Sequence, residues 1–280
     1  MRIINTNDII ENIKEMCIEA NLYLSSDMEK AIKESVKIEK SLIGKQVLEL
    51  LDENMLIAKD KNIPICQDTG MAVVFIEMGQ EIAIEGDLLE DAINEGVRRG
   101  YKEGFLRKSV VDDPLLRNNT KDNTPAIIHY NIVKGDTFKI TIAPKGFGSE
   151  NMSRIFMLKP SDGVDGVKKA IINTVDELGA NACPPLVIGV GLGGTFEKCA
   201  FLAKKALLRP INESSNIDHI KELEETLLNE INKLGVGPQG LGGIVTALGL
   251  NIETFPTHIA GLPVAVNICC HVNRHVTREL

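Results

Sequence analysis

Pro64-Ile65-Cys66-Gln67-Asp68-Thr69-Gly70, followed by Met71-Ala72-Val73-Val74-Phe75-Ile76-Glu77-Met78, marks where the chain changes character. The residues ahead of it carry a helical period. The residues behind it, Ala72 to Met78, read as a strand in which Val73-Val74-Phe75-Ile76 is the buried part. At the junction a cysteine, an amide, a carboxylate and a hydroxyl stand side by side and are closed by a glycine. Polar groups this dense at the mouth of a strand are costly to bury unless a ligand or metal uses them.

Upstream, Ile9, Ile13, Cys17 and Ala20 recur at helical spacing with Met16 beside them, giving one apolar face. Ser26-Asp27-Met28-Glu29 has the form of a capping box and opens a second helix with Met28, Ile32 and Val36 inward. Val47, Leu48, Leu51 and Met55 mark a third. Cys17 lies on the first apolar stripe and is expected in the core. Residues 1–62 are therefore expected to form a helical region.

Downstream, the pattern predicts a helix from Leu88 to Phe105, with Ile93, Val97 and Tyr101 on one face and Arg107 just beyond it. Asn118 to Pro125 is a loop. Ile128, Tyr130 and Ile132 alternate before Lys134-Gly135-Asp136, and Phe138, Ile140 and Ile142 alternate after it, which predicts a hairpin. A glycine-rich turn from Ala143 to Asn151 leads to an expected helix over 152–158. Another helix covers 164–178. Strand Leu186 to Val190, a helix holding Cys199 in its core face, and a charged helix from Asp218 to Leu234 follow. A second glycine-rich loop, Gly235 to Gly243, precedes expected strands at Ile244 to Leu250 and Val264 to Asn267. The fold class is mixed α/β (α+β): a helical N-terminal part, then β-sheet segments with packed helices. Residues 63–280 form the α/β part, and the whole is expected to be one continuous domain.

The bulk composition narrows the function classes. A chain of 280 residues that is 44% hydrophobic and 25% charged is an ordinary globular one. A net charge of -8 argues against a nucleic-acid partner. The N-terminus lacks the apolar core of a signal peptide, and no apolar run approaches the roughly 20 residues of a membrane span. The expected location is cytoplasmic, where thiols stay reduced, so the six cysteines suggest metal binding or catalysis rather than disulfides.

Cys66, Cys183 and one of the pair Cys269-Cys270 each lie at a loop edge beside a predicted strand. Residues placed at strand ends can converge on one rim of a sheet. The side chains of adjacent cysteines diverge in extended backbone, so only one of the last two can join a site. No C-x(2–4)-C pair of the zinc-finger kind is present. Three thiolates can hold a 4Fe–4S cluster and leave one iron open as a Lewis acid. Three unrelated buried cysteines are the plain alternative, and a structural zinc site on Cys183, Cys270 and His271 is another. From a different class, Gly189-x-Gly191-x-x-Gly194 fits a dinucleotide-binding fingerprint between a strand and a helix. The acid at about the right distance, Glu213, falls in a loop rather than at a strand end.

The motifs together resemble a known family. Cys66-Gln67-Asp68-Thr69-Gly70, Leu106-Arg107-Lys108-Ser109 and the run Asn119-Thr120-Lys121-Asp122-Asn123-Thr124-Pro125-Ala126 carry the likeness. So do Lys145-Gly146-Phe147-Gly148-Ser149-Glu150-Asn151, Ala182-Cys183-Pro184-Pro185, Gly189 to Gly194, and His258 to His271. They are similar, in order from about Asn62 onward, to the class I, iron–sulfur-dependent fumarate hydratases and tartrate dehydratases, in their α subunit or N-terminal half. The resemblance implies reversible hydration of fumarate to L-malate on a 4Fe–4S cluster, or dehydration of L(+)-tartrate. It implies cluster ligands at Cys66, Cys183 and Cys270, with Cys269 as the spare thiol. It implies substrate-binding roles for Gln67, Arg107 and Gly148, and catalytic roles for Asp68 and His258. Phe147 stands where the family often has glycine. Because the chain stops soon after Cys270, the resemblance also implies a β subunit, in an α2β2 assembly, that supplies further arginine and lysine contacts and the base.

Overall fold

The structure, a computed structural model, describes all 280 residues. From the N-terminus it runs through β1 (Arg2–Asn5), α1 (Thr6–Leu22), α2 (Ser26–Ile38), α3 (Leu42–Lys61), β2 (Met71–Gly79), β3 (Ile82–Glu85) and α4 (Leu89–Glu103). Then come β4 (Ile127–Val133), β5 (Phe138–Lys145), the one-turn α5 (Phe147–Glu150), β6 (Arg154–Leu158) and α6 (Gly163–Leu178). The chain finishes with β7 (Leu186–Gly193), α7 (Phe196–Ala206), α8 (Asp218–Asn232), β8 (Ala247–Phe255), β9 (Leu262–Cys269) and β10 (Val276–Glu279). This is the mixed α/β architecture that the patterning implies. No helix is long and apolar enough to cross a membrane.

Two compact units interleave along the chain. The first holds Met1–Leu24, Met55–Phe147 and Arg274–Leu280; the second holds Ser25–Asn54 and Gly148–Asn273. The chain therefore does not divide near residue 62. The helices α1 and α2 have one apolar stripe each and no core of their own, so each is completed by a sheet. α1 packs on α4 and β5 in the first unit, whereas α2 reaches β8 in the second. The first four-residue segment is not helical either, since β1 pairs in parallel with β3. The capping box expected at Ser26 does not form. Ser25 is the N-cap and makes no side-chain cap bond, and Asp27 accepts instead from the Ile211 backbone N–H at 2.9 Å.

In the first unit the main sheet has the order β10-β5-β2-β4. The predicted hairpin of β4 with β5 is not made. β4 pairs in parallel with β2 (Val74 with Ile128), and β5 pairs antiparallel with the other side of β2 (Val74 with Ile142). The reason lies in β2, whose run Ala72 to Ile76 is buried throughout and takes the central place with a neighbour on each side. The turn at Gly135 passes over the end of β2, where a Cβ on Gly79 would stand 2.1 Å from the Gly135 carbonyl oxygen. β4 is left at the edge, with Tyr130 and Ile132 exposed. The core gathers Ile9, Ile13, Met16 and Cys17 of α1 with Val74, Ile140, Ile142, Ile93, Val97 and Tyr101.

The second unit's sheet has the order β6-β9-β7-β8, with β7 parallel to β8 and antiparallel to β9. β6 replaces the helix expected over 152–158. Ile155 and Phe156 favour extended backbone, and the segment closes the sheet edge by pairing with β9 (Phe156 with Val264). Ile188, Val190, Ile252, Val266 and Ile268 form the sheet side of the core. Ile171 and Val175 of α6 and Leu227 and Ile231 of α8 cover them.

The glycine fingerprint is explained by packing. A Cβ on Gly189 would lie 2.2 Å from the Ala203 carbonyl oxygen, and one on Gly191 would lie 1.9 Å from that of Cys199. These glycines let the α7 backbone lie directly on β7. With an antiparallel strand beside β7 as well, the setting is not that of a dinucleotide fold.

Candidate active site

The loop Cys66 to Gly70 is held at almost every residue by groups of the first unit. It begins where the Ile65 N–H donates to the Asn21 carbonyl at 3.0 Å. The Asp68 N–H donates to the Cys66 sulfur at 3.4 Å. The Asp68 carboxylate accepts from the Gly70 N–H at 3.0 Å through Oδ1 and from the Phe147 N–H at 2.9 Å through Oδ2. Beneath the loop the buried Tyr101 hydroxyl donates to the Thr69 carbonyl at 2.7 Å and lies 3.1 Å from that of Gly70. Burial drives the Tyr101 phenol well above its ordinary range. Asn123, fully buried with φ 65°, donates to the Gly70 carbonyl at 3.2 Å and accepts from the Ser109 N–H at 2.7 Å. The Thr69 hydroxyl donates to the Arg107 carbonyl at 3.0 Å, which couples the Cys66 loop to the segment that carries Arg107.

Arg274 completes this floor, and nothing in the sequence pattern marks it out. Only 4% of it is exposed. Its Nη2 donates to the Asp68 carbonyl, its Nε to the Pro144 carbonyl at 3.4 Å, and its Nη1 has no partner. The cation faces main-chain carbonyls and no carboxylate. Uncompensated buried charge is expensive, so an anionic group near the loop would be favoured.

The other sequence-predicted residues take these places. Gln67 is exposed beside Cys66, and Arg107 is exposed. Gly148 is exposed in α5, and nothing beyond its neighbours along the helix lies within 4 Å of where its Cβ would be. Phe147 is 48% exposed. His258 lies in the exposed turn between β8 and β9, where its Nδ1 accepts from the Ala260 N–H at 3.2 Å. The neutral ring therefore carries its proton on Nε2.

In the second unit Cys183 follows a short 3-10 turn and has left-handed backbone, φ 55° and ψ 63°. Cys270 follows the end of β9, and the next residue reaches back: the His271 Nδ1 lies 3.1 Å from the Cys183 carbonyl oxygen. The structure thus brings the Cys183 and Cys270 segments together. Cys66 belongs to the first unit.

The six cysteines fall into two sets. Cys17, Cys199 and Cys269 are buried. Burial pushes the Cys17 thiol up to about 12 and raises that of Cys199. Cys183 is exposed, and Cys66 and Cys270 are partly so; none of the six is in a disulfide. Three soft, accessible sulfur donors on loop edges fit an iron–sulfur cluster. No three His, Cys, Asp or Glu side chains are gathered into a cage for a metal ion.

The family model described as fumarate hydratase (Fumerase) matches residues 10–279. The chain is 41% identical over 278 residues to a Methanocaldococcus jannaschii protein provisionally named L(+)-tartrate dehydratase subunit alpha, covering 97% of each. It is 31% identical over 274 residues to the L(+)-tartrate dehydratase subunit alpha of Escherichia coli strain UTI89, covering 97% of this chain and 90% of that one. The subunit of the same name from Shigella boydii matches to the same extent. The class is that of the hydro-lyases. The chain belongs to the fumarate hydratase family.

Proposed function

We propose that this chain is the α subunit of an iron–sulfur hydro-lyase that adds water reversibly to a four-carbon dicarboxylate, fumarate to L-malate. The observation that carries the reading is the split among the cysteines: the three at loop edges are accessible and the other three are sealed. Cys66, Cys183 and Cys270 would hold a 4Fe–4S cluster, and Cys269, at 4% exposure, is the spare thiol. When bound, such a cluster supplies an open iron that acts as a Lewis acid toward a substrate hydroxyl.

The chain's own residues do the rest. Arg107 offers an exposed guanidinium fork to a substrate carboxylate. Gln67, next to the first ligand, presents an amide that can donate to the same dianion. Gly148 offers a backbone N–H with open space where a side chain would stand. Asp68, fixed by the Gly70 and Phe147 N–H groups, is oriented to hold or pass a proton. His258 donates outward from Nε2, since Nδ1 is taken by the Ala260 N–H. A β subunit, in an α2β2 assembly, would supply the remaining cationic contacts and the base.

A second reading, dehydration of L(+)-tartrate, is favoured by the names of the relatives. It uses the same residues on a substrate with one more hydroxyl. The test has two arms. Iron, acid-labile sulfide and an EPR spectrum are measured on the chain prepared without oxygen. About four of each per chain, lost in air, support the cluster; their absence overturns it. Turnover of fumarate, malate and tartrate by the chain with its β partner then separates the substrates. Strong turnover by the isolated chain would refute the need for a partner.

A further inference from the structure

The second glycine-rich loop, Gly235 to Gly243, has no part in the chemistry above, yet it is built against the Cys183 segment. Its tip is Gln239, a non-glycine residue in left-handed backbone, φ 53° and ψ 22°. Two donors of Gln239 converge on one acceptor. Its backbone N–H and its side-chain Nε2 each lie 2.8 Å from the Pro184 carbonyl oxygen. A carbonyl only accepts, so the amide nitrogen, not the oxygen, faces Pro184. The same Nε2 lies 3.4 Å from His271 Nδ1.

His271 in turn grips the residue before Pro184. Its backbone N–H, at 3.4 Å, and its Nδ1, at 3.1 Å, both approach the Cys183 carbonyl oxygen. Successive carbonyls, Cys183 and Pro184, are therefore held from two sides, one of them the residue that follows Cys270. Gly240 adds a close approach, since a Cβ there would meet the Ala180 Cβ at 3.1 Å.

The loop is itself anchored from the far end. Ile244 and Val245 donate their N–H groups to the Glu39 carboxylate at 3.0 and 2.9 Å. A Cβ on Gly243 would stand 2.7 Å from that carboxylate, which is why the anchor needs glycine there. Left-handed backbone at a cysteine and at a glutamine is sparsely populated, and it persists where the surroundings over-determine it. Here Gln239 is bonded to Pro184, the residue that follows Cys183.

We propose that Gln239 is a positioning residue that fixes the Cys183 thiol relative to the Cys270 thiol, acting through the Pro184 carbonyl next to the Cys183 carbonyl that His271 holds. The inference rests on the reading of Cys183 and Cys270 as cluster ligands. It predicts that the side-chain amide governs how firmly iron is kept, apart from its effect on the fold.

The test uses the full chain, reconstituted with iron and sulfide without oxygen, as wild type, Cys183→Ala, Gln239→Met and Gln239→Gly. Iron release to a chelator is followed by absorbance, and the melting temperature of each iron-free protein is measured alongside. Gln239→Met keeps the length of the side chain and removes its donor. Gln239→Gly keeps the backbone N–H and relaxes the left-handed backbone. Loss of one such hydrogen bond corresponds to roughly a tenfold change, so both glutamine variants should release iron about ten times faster, with iron-free melting close to wild type. Where the methionine variant also melts lower, the release rate of the glycine variant alone decides between the outcomes. If wild type holds iron, Cys183→Ala does not, and both glutamine variants release it at the wild-type rate, the positioning role is refuted while the ligand reading stands. If wild type holds no iron, the ligand reading falls and takes this inference with it.

Discussion

Glu39→Gln should destabilise the second unit strongly at neutral pH, and the size follows from four hydrogen bonds. Oε1 accepts from the N–H groups of Lys40 at 2.7 Å and Ser41 at 2.8 Å; Oε2 accepts from those of Ile244 at 3.0 Å and Val245 at 2.9 Å. Only 7% of Glu39 is exposed, so solvent screens these bonds little. Glutamine has a single carbonyl oxygen. Whichever way its amide turns, the NH2 faces two N–H donors, and the bonds that remain lose their charge. The pair at Lys40 and Ser41 lies nearer water and is the cheaper one to abandon. Bonds to a charged acceptor are worth about 1.5–3 kcal/mol each and neutral ones about half that, so the net loss is about 2–4 kcal/mol.

For a unit of this size that is a fall in melting temperature of roughly 5–15 °C, readable by calorimetry on the full chain. The effect carries a pH signature. Burial alone would raise the Glu39 pKa, but the Ser41, Val245, Ile244 and Lys40 N–H groups outweigh it and hold the value below the ordinary 4.5. A group with a depressed folded pKa contributes its stability above the unfolded value and loses it as the pH falls through the folded one. The gap between wild type and variant should therefore be full at pH 7 and close below pH 4.5. A drop under about 1 °C at pH 7, or a gap that persists unchanged to pH 3, would show that the Glu39 carboxylate does not anchor the loop.

Arg107→Lys keeps the charge but loses the fork, so KM for the dicarboxylate should rise about tenfold or more with iron content unchanged; an unaltered KM would remove Arg107 from the substrate site. Asp68→Asn keeps the acceptor for the Gly70 N–H but loses the one for Phe147 and the ability to carry a proton, so turnover should fall about a hundredfold at full iron content. Loss of iron in step with turnover would instead make Asp68 a structural residue. Tyr101→Phe removes a buried hydroxyl that holds the Thr69 and Gly70 carbonyls, at a cost of about 1–2 kcal/mol in thermal or urea unfolding; a variant as stable as wild type would mean that water or a neighbour takes over the bonds.

Much of this molecule could be read from its residues. The helical stripes of Ile9-Ile13-Cys17 and Ile93-Val97-Tyr101 are buried faces, and Cys17 and Cys199 are core residues, as their positions suggest. Pairing was less legible than periodicity. Ile128-Tyr130-Ile132 and Phe138-Ile140-Ile142 are both strands, but alternation does not say who the neighbour is. What decided it was the doubly buried run Ala72 to Ile76, which can be satisfied only in the middle of a sheet. The segment 154–158 departs from its expected helix for a related reason: five residues after a one-turn helix hold no clear period, and the open edge of β9 selected the strand. The interleaving of the two units was also hidden, because an amphipathic helix advertises that it needs a partner and not which sheet supplies it.

The candidate site shows the same limit at finer grain. Candidate site side chains announce themselves by type, because Cys, Asp, His and Arg beside a strand end stand out from an apolar pattern. The groups that set their geometry do not. Tyr101 reads as one more apolar residue on α4, Gln239 as a polar residue in a flexible loop, and Arg274 as a basic residue near the end of the chain. Each acts on main-chain carbonyls: Tyr101 on Thr69 and Gly70, Gln239 on Pro184, Arg274 on Asp68 and Pro144. A carbonyl is present at every residue and leaves no mark on the residue type. Such contacts depend on how the backbone is turned, as at Cys183 and Gln239, and that turning exists only once the chain is folded.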